Sequence, residues 1–168
     1  MSDTFKDLIA AKIYTLEGLM EEIAKWREFG DKIVFTNGCF DLLHLGHINY
    51  LADAADLGER MVIGVNTDAS VSRLKGPHRP LKDENSRARL LASLFFTDAI
   101  VLFDEPTPIN LIKTIQPDIL VKGGDYEIEG IVGHEVVLEN GGQVLTIPLT
   151  EGYSTTNIEN KILDSQRD

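Results

Sequence analysis

His44 and His47 stand three residues apart, with Gly46 between them, in the stretch Phe35-Thr36-Asn37-Gly38-Cys39-Phe40-Asp41-Leu42-Leu43-His44-Leu45-Gly46-His47. Side chains at i and i+3 share a helix face, so both imidazoles can reach one phosphate, and the glycine lets backbone approach the same anion. Lys75, in Lys75-Gly76-Pro77, occupies a turn without apolar context and is the first candidate for a phosphate-neutralising cation; Arg73 is the second. Lys122-Gly123-Gly124-Asp125 closes an apolar run with paired glycines, which either admit a ligand to the backbone or simply make a tight turn. Ser154 is a natural N-cap ahead of Ile158 and Ile162, with Thr155 and Thr156 in a first helical turn whose N–H groups are free. Helix starts, imidazoles and a lysine are the parts of a site that stabilises phosphate charge.

Those residues must be carried to one place. Lys32 to Phe35 reads as a short strand that breaks at Asn37-Gly38 and resumes as a helix with Ile48, Leu51, Ala52 and Ala55 at 3.6-residue spacing. An earlier helix carries Leu16, Leu19, Met20, Ile23 and Trp26, capped by Thr15 and ending near Gly30, with Trp26 read as a packing residue. Met61 to Val65, Ile100 to Phe103, Ile119 to Val121 and Val144 to Pro148 are further strands, the first closed by Asn66-Thr67-Asp68. Helices are expected over Asp83 to Phe95, burying Leu90, Leu91 and Leu94, over Pro108 to Ile115 and over Ile131 to Glu139. Arg87, at the opening of the first of these, is either solvated or turned toward the site. The alternation predicts a single Rossmann-like α/β domain with a five-stranded open parallel sheet flanked by helices, right-handed crossovers, and a ligand at the carboxyl ends of the strands. Residues 1 to 14 show little pattern and read as a partly ordered lead.

A chain of 168 residues with 43% hydrophobic and 26% charged residues can bury one sizeable core. A net charge of −11 argues against nucleic acid or an anionic membrane as partner. Even so, six of the 16 Lys and Arg (Arg73, Lys75, Arg79, Lys82, Arg87, Arg89) fall between residues 73 and 89, which suggests a positive pocket wall or, more plainly, a solvated loop followed by a charged helix face. No apolar run approaches the ~20 residues that span a bilayer, and the start lacks the order of a secretory signal, so a cytoplasmic protein is expected. Cys39, alone, forms no internal disulfide or multi-cysteine metal site and reads as a small packed residue; His78 and His134 lie in separate contexts, so no zinc site is expected. There is no Gly-x-Gly-x-x-Gly after the first strand and no Walker-type loop, which disfavours dinucleotide oxidoreductases and P-loop ATPases.

His44-Leu45-Gly46-His47 in FTNGCFDLLHLGHINYL, followed in order by NTDASVSRLKGPHRPL, PDILVKGGDY and EGYSTTNI, resembles the signature set of the cytidylyltransferase-like nucleotidylyltransferase superfamily over nearly the whole chain. Within it the set is most similar to the branch that transfers adenylate from ATP to D-glycero-β-D-manno-heptose 1-phosphate, giving ADP-heptose for bacterial lipopolysaccharide. The resemblance implies His44, His47 and Lys75 as catalytic residues. It places the nucleotide on Thr36, Asn37, Gly38, Cys39, Phe40, Gly46, Lys122, Gly123, Gly124, Ser154, Thr155 and Thr156. The sugar phosphate would meet Asn66, Asp68, Arg73, Arg87, Asp125 and Asp41, although Asp41 can equally cap its turn. Mg²⁺ is implied as a cofactor held mainly by the ATP phosphates, with no metal ligands in the protein. A homodimer would be unsurprising, since the first helix and the strand edges offer surfaces.

A sugar phosphate is already an anion near neutral pH, its second pKa being about 6, so attack on the α-phosphorus needs no general base. Catalysis reduces to positioning and charge stabilisation. The nearest alternative is glycerol-3-phosphate cytidylyltransferase or a related enzyme, which resembles this chain at the histidine turn and at Glu151 to Thr156. Those enzymes usually carry an arginine where this chain has Leu149 and an acidic residue where it has Gly124. A non-catalytic nucleotide sensor is the alternative of a different class, disfavoured because the histidines, the lysine and the terminal threonines are all present.

Overall fold

The protein is described here by a computed structural model covering residues 4–165. Its first elements correct the expected lead. Thr4 and Asp7 form a capping box that starts a helix, α1 (Phe5–Ala10), and a two-residue strand, β1 (Ile13–Tyr14), pairs with Ile100 and Val101. Residues 1–3 lie outside the described part. A two-residue strand is too short to show any periodicity, which is why the sheet has six strands where five were expected.

Most of the remaining elements follow the apolar pattern. They are α2 (Leu16–Glu28), β2 (Ile33–Gly38), α3 (Leu45–Ala55), β3 (Arg60–Asn66), α4 (Asp68–Lys75), α5 (Glu84–Ala92), β4 (Ala99–Phe103), α6 (Ile109–Ile115), β5 (Ile119–Gly123), a 3₁₀ turn at Ile128–Gly130, α7 (His134–Glu139), β6 (Gln143–Ile147) and α8 (Thr155–Asp164). Thr15, Thr67, Asp83 and Ser154 each accept a backbone N–H as side-chain N-caps, satisfying donors that a helix start leaves over. Helix α4 was not foreseen: its mean composition is polar, and its start depends on the Thr67 cap.

All strand pairs are parallel, in the order β1-β4-β3-β2-β5-β6. Parallel strands are covered on both faces, and alternation splits their side chains between two cores. Phe35, Val62, Val101 and Leu120 pack with Leu19, Ile23 and Trp26 of α2 and with Ile112 of α6. Val34, Ile63, Ile100 and Val121 pack with Tyr50 and Leu51 of α3 and with Ala88 and Leu91 of α5. Trp26 is thus a core residue, as its spacing indicated. Chain order runs outward from β2 to β3 and β4 on one side, while β5 sits on the other. The crevice between β2 and β5 is therefore the topological switch point where ligands enter such sheets.

Candidate active site

At that switch point β2 ends in Asn37-Gly38, and the chain turns sharply. Phe40 adopts a left-handed backbone (φ 49°), an uncommon choice for a non-glycine residue, and its ring folds back over Gly38. A Cβ on Gly38 would stand 2.9 Å from the Phe40 ring, so any larger residue there would have to displace that ring. The turn delivers the chain to His44, the N-cap of α3, whose extended backbone (φ −140°, ψ 171°) makes no side-chain cap. No cap competes for the first N–H groups of α3, which is the condition for an anion to use them.

The imidazoles of His44 and His47 stack with centroids 3.9 Å apart, and the Phe40 ring meets His47 edge-on at 5.5 Å. Both Nδ1 atoms are buried without a hydrogen-bond partner among the described residues. Burial lowers the pKa of His44. It lowers that of His47 to about 4, with His44 and Lys75 adding to the effect and the Leu42 backbone acting in the other direction. At neutral pH both rings are therefore uncharged, and each carries one N–H available to a ligand acceptor.

The pKa of His47, lower folded than unfolded, has a testable consequence. Stability owed to the neutral ring is complete above about pH 6.5 and is lost as pH falls toward 4. An arriving polyphosphate reverses the bias, so ATP binding near pH 5.5 is expected to draw a proton onto the site. Calorimetry in two buffers of different ionisation enthalpy should show greater proton uptake for the wild type than for His47→Gln; equal uptake would mean that His47 does not face the phosphates.

The second helix start lies against the first. Ser154 accepts the Asn157 N–H (3.0 Å) as the cap of α8, and a Cβ placed on Gly46 would touch both His44 Nδ1 (3.0 Å) and Tyr153 Cβ (3.3 Å). Gly46 thus keeps α3, His44 and the approach to α8 in contact. Gly46→Ala is expected to push the His44 ring aside, cutting turnover on the order of 10²-fold while the melting temperature moves by only a few degrees. Steady-state kinetics beside a thermal melt would check it.

A cleft of about 390 Å³ opens over this junction, lined by the ends of β2 and β5 and by residues of the histidine turn, α3, α4 and α8. Asn37, Gly38, Cys39, Phe40, His47, Lys75, Lys122, Gly123 and Thr155 face it. Asp41 also lines it, but its carboxylate is committed to the Leu81 and Lys82 N–H groups and to Arg79 (2.9 Å). Burial raises the Asp41 pKa, and these donors outweigh it and hold the carboxyl below its usual range. Asp41 therefore holds the 81–82 turn, a long-range structural role that differs from the cap on its own turn read from the sequence. Arg79 continues to Glu159 of α8 and so ties that helix to the body.

Several expected contacts are corrected. Thr36 is buried against the Tyr50 hydroxyl, which also donates to the Val121 carbonyl, and burial pushes the Tyr50 pKa up to about 12. Asn66 is buried, donating to Ser70 and facing the Cys39 thiol. Arg73 pairs with Asp104 on the surface. Arg87 is fully buried and donates to the Cys39 carbonyl (2.7 Å), the Lys82 carbonyl (3.0 Å) and Asp68 (2.8 Å), so both Arg87 and Asp68 support the turn from behind. The basic segment is thus no continuous pocket wall: of its six cations only Lys75 lines the cleft. Ser154 and His44 line an adjoining groove with Tyr153, while Gly124, Asp125 and Thr156 are not among the cleft-lining residues.

Three lining residues were missed. Tyr50 sits at i+3 from His47, a spacing that could have revealed it; Tyr126 and Leu149 flank the paired glycines, 3.1 Å from a Gly124 Cβ and 2.9 Å from a Gly123 Cβ, and neither has a local signal.

Residues 35–161 match the family model described as cytidylyltransferase-like. The chain belongs to this family. The cytidylyltransferase-like chain is 56% identical over 155 residues to "Bifunctional protein HldE" of Citrifermentans bemidjiense, covering 92% of itself and 32% of that relative. It is 54% identical over 147 residues to the protein of the same name from Caulobacter sp. strain K31, covering 88% and 30%. It therefore spans about a third of the length of these curated relatives. Among solved structures, the lipopolysaccharide core biosynthesis protein of Thermoplasma volcanium GSS1 is similar at 31% identity and a TM-score of 0.57, over 74% of this chain and 100% of that one. Pantoate-beta-alanine ligase of Francisella tularensis, solved with beta-gamma ATP and beta-alanine, shares the fold at a TM-score of 0.60 and 13% identity, over 93% and 79%.

Proposed function

We propose that the chain transfers AMP from ATP to D-glycero-β-D-manno-heptose 1-phosphate, releasing pyrophosphate and forming ADP-heptose. The observation that carries the reaction type is the meeting of the α3 and α8 starts beside a stacked, uncharged histidine pair, with Lys75 and Lys122 facing the same cleft. Identity above 50% to proteins named bifunctional HldE, and the likeness to a lipopolysaccharide core biosynthesis protein, support the sugar. Leu149 and Gly124, where cytidylyltransferases usually carry an arginine and an acidic residue, support ATP over CTP.

In this reaction a phosphate oxygen of the sugar attacks the α-phosphorus, the bond to the β-phosphate oxygen breaks, and pyrophosphate leaves with its electron pair. His44, His47 and the free N–H groups of α3 would hold the triphosphate, Thr155 would meet it from α8, and Lys75 would screen the two anions from each other. No residue needs to take a proton.

Mg²⁺ supplies charge neutralisation when it arrives with ATP. No three His, Cys, Asp or Glu side chains converge on a cation site among the described residues, and Asp41 is already committed, so the ion would rest on phosphates and water. No helix among the described residues is long and apolar enough to cross a membrane. A cytoplasmic location, where ATP is supplied, fits this chemistry.

The test is pyrophosphate release with Mg²⁺ and either ATP or CTP, offered β-heptose 1-phosphate or glycerol 3-phosphate separately. Release is expected only with ATP and the heptose phosphate. Release with CTP and glycerol phosphate would overturn the substrate assignment while keeping the reaction type, and silence in every tube with ATP still bound would favour a sensor.

A further inference from the structure

Most cations near the site are spent on protein partners. Arg73 pairs with Asp104, Arg79 with Asp41 and Glu159, and Arg87 with Asp68. Two face the cleft without an acidic partner among the described residues: Lys75, exposed at the end of α4, and Lys122. Their settings differ. Lys122 stands near the carboxyl end of β5, in register with Thr146 of β6 and two residues beyond the pairing of Leu120 with Phe35. It is partly buried, its pKa is lowered by that burial, and only the Cys39 thiol acts in the opposite direction.

A desolvated ammonium without a counter-charge is costly, and buried cations in folded proteins are otherwise paired or hydrogen-bonded. Its counter-charge is therefore to be sought in what the cleft receives. A cation partly withdrawn from water acts on developing charge more strongly than an exposed one does. Lys122 lines the cleft together with Asn37 and Gly38, on the strand flanking the histidine turn, while Lys75 approaches from α4.

We propose that Lys122 is a catalytic residue of this site, contacting a non-bridging oxygen of the ATP α-phosphate and stabilising the charge that gathers there as the sugar phosphate attacks. This rests on the adenylyl-transfer reading. The new bond runs from the sugar-phosphate oxygen to the α-phosphorus, the bond from that phosphorus to the β-phosphate oxygen breaks, and pyrophosphate carries away the electron pair. Lys122 stays protonated throughout.

The test compares wild type, Lys122→Met, which keeps the side chain's volume without its charge, and Lys122→Arg, which restores a cation. Lys122→Met is expected to lower kcat on the order of 10²-fold and to weaken ATP binding by calorimetry about tenfold. Lys122→Arg should recover at least part of both losses. Removal of an unpaired buried charge should leave the melting temperature unchanged or raised, whereas a purely structural lysine would lower it. Unchanged kcat and ATP affinity in Lys122→Met, or losses matched by a lower melting temperature and not eased by arginine, would overturn the assignment. An inactive wild type would reject the adenylyl-transfer reading instead, and the ATP-affinity comparison would still decide whether Lys122 meets the nucleotide.

Discussion

Replacing His47 by alanine should lower kcat on the order of 10²–10³-fold, the usual cost of removing one preorganised donor to developing charge. His47 does not reach the cleft by itself. Phe40 covers Gly38 and meets His47 edge-on, and the His44 ring stacks on its other neighbour position at 3.9 Å. Because the ring is uncharged near neutral pH, the loss is that of a directed hydrogen bond and not of a cation. His47→Asn keeps a donor of similar reach and should recover part of the activity, while a thermal melt of either variant should change little. Pyrophosphate release at saturating substrates measures it; loss below tenfold would remove His47 from the chemistry.

Arg87→Met should destabilise the fold by about 2–4 kcal/mol, because the Cys39 and Lys82 carbonyls lose their donor while Asp68, 41% exposed, can turn to water. For a chain of this size that is a fall in melting temperature of roughly 10 °C. The guanidinium is fully buried, and the three acceptors it serves come from three places: the Cys39 carbonyl in the site turn, the Lys82 carbonyl and Asp68. Activity should fall with stability, since the Cys39 carbonyl belongs to the turn that presents the histidines. Arg73→Ala is the contrast. Its pair with Asp104 is more than half exposed on both sides, and such pairs contribute ~0–1 kcal/mol. A calorimetric or fluorescence melt of both variants decides the matter, and an Arg87→Met protein that melts like wild type but turns over slowly would return Arg87 to the substrate.

Much of this architecture was legible because it rests on local pattern. Apolar runs located β2, β3, β4, β5 and β6, and 3.6-residue spacing located α2 and α3 together with the packing role of Trp26. The histidine turn was legible for the same reason, since strand, glycine and helix start are contiguous. What was missed is non-local. Arg87 finds its acceptors 5, 19 and 48 residues away, and Arg79 reaches Asp41 and Glu159 at separations of 38 and 80, so a run of basic residues looked like a pocket wall when two of its arginines are internal braces and only Lys75 lines the cleft. Periodicity carries no information about such partners. The edge strand β1 escaped because its conformation comes from β4 and not from its own two side chains. Tyr126 and Leu149 escaped because they reach the cleft only when β5 and β6 lie side by side.

The most direct measurement follows the label of ATP. With β-heptose 1-phosphate and Mg²⁺, ATP labelled at the α-phosphorus should place its label in the sugar nucleotide, while ATP labelled at the γ-phosphorus should place all of it in pyrophosphate. Label from the γ-position in the sugar product would mean phosphoryl transfer by a different attack, and would contradict a site built to hold the triphosphate tail on His44, His47 and α8 while the α-phosphorus reacts.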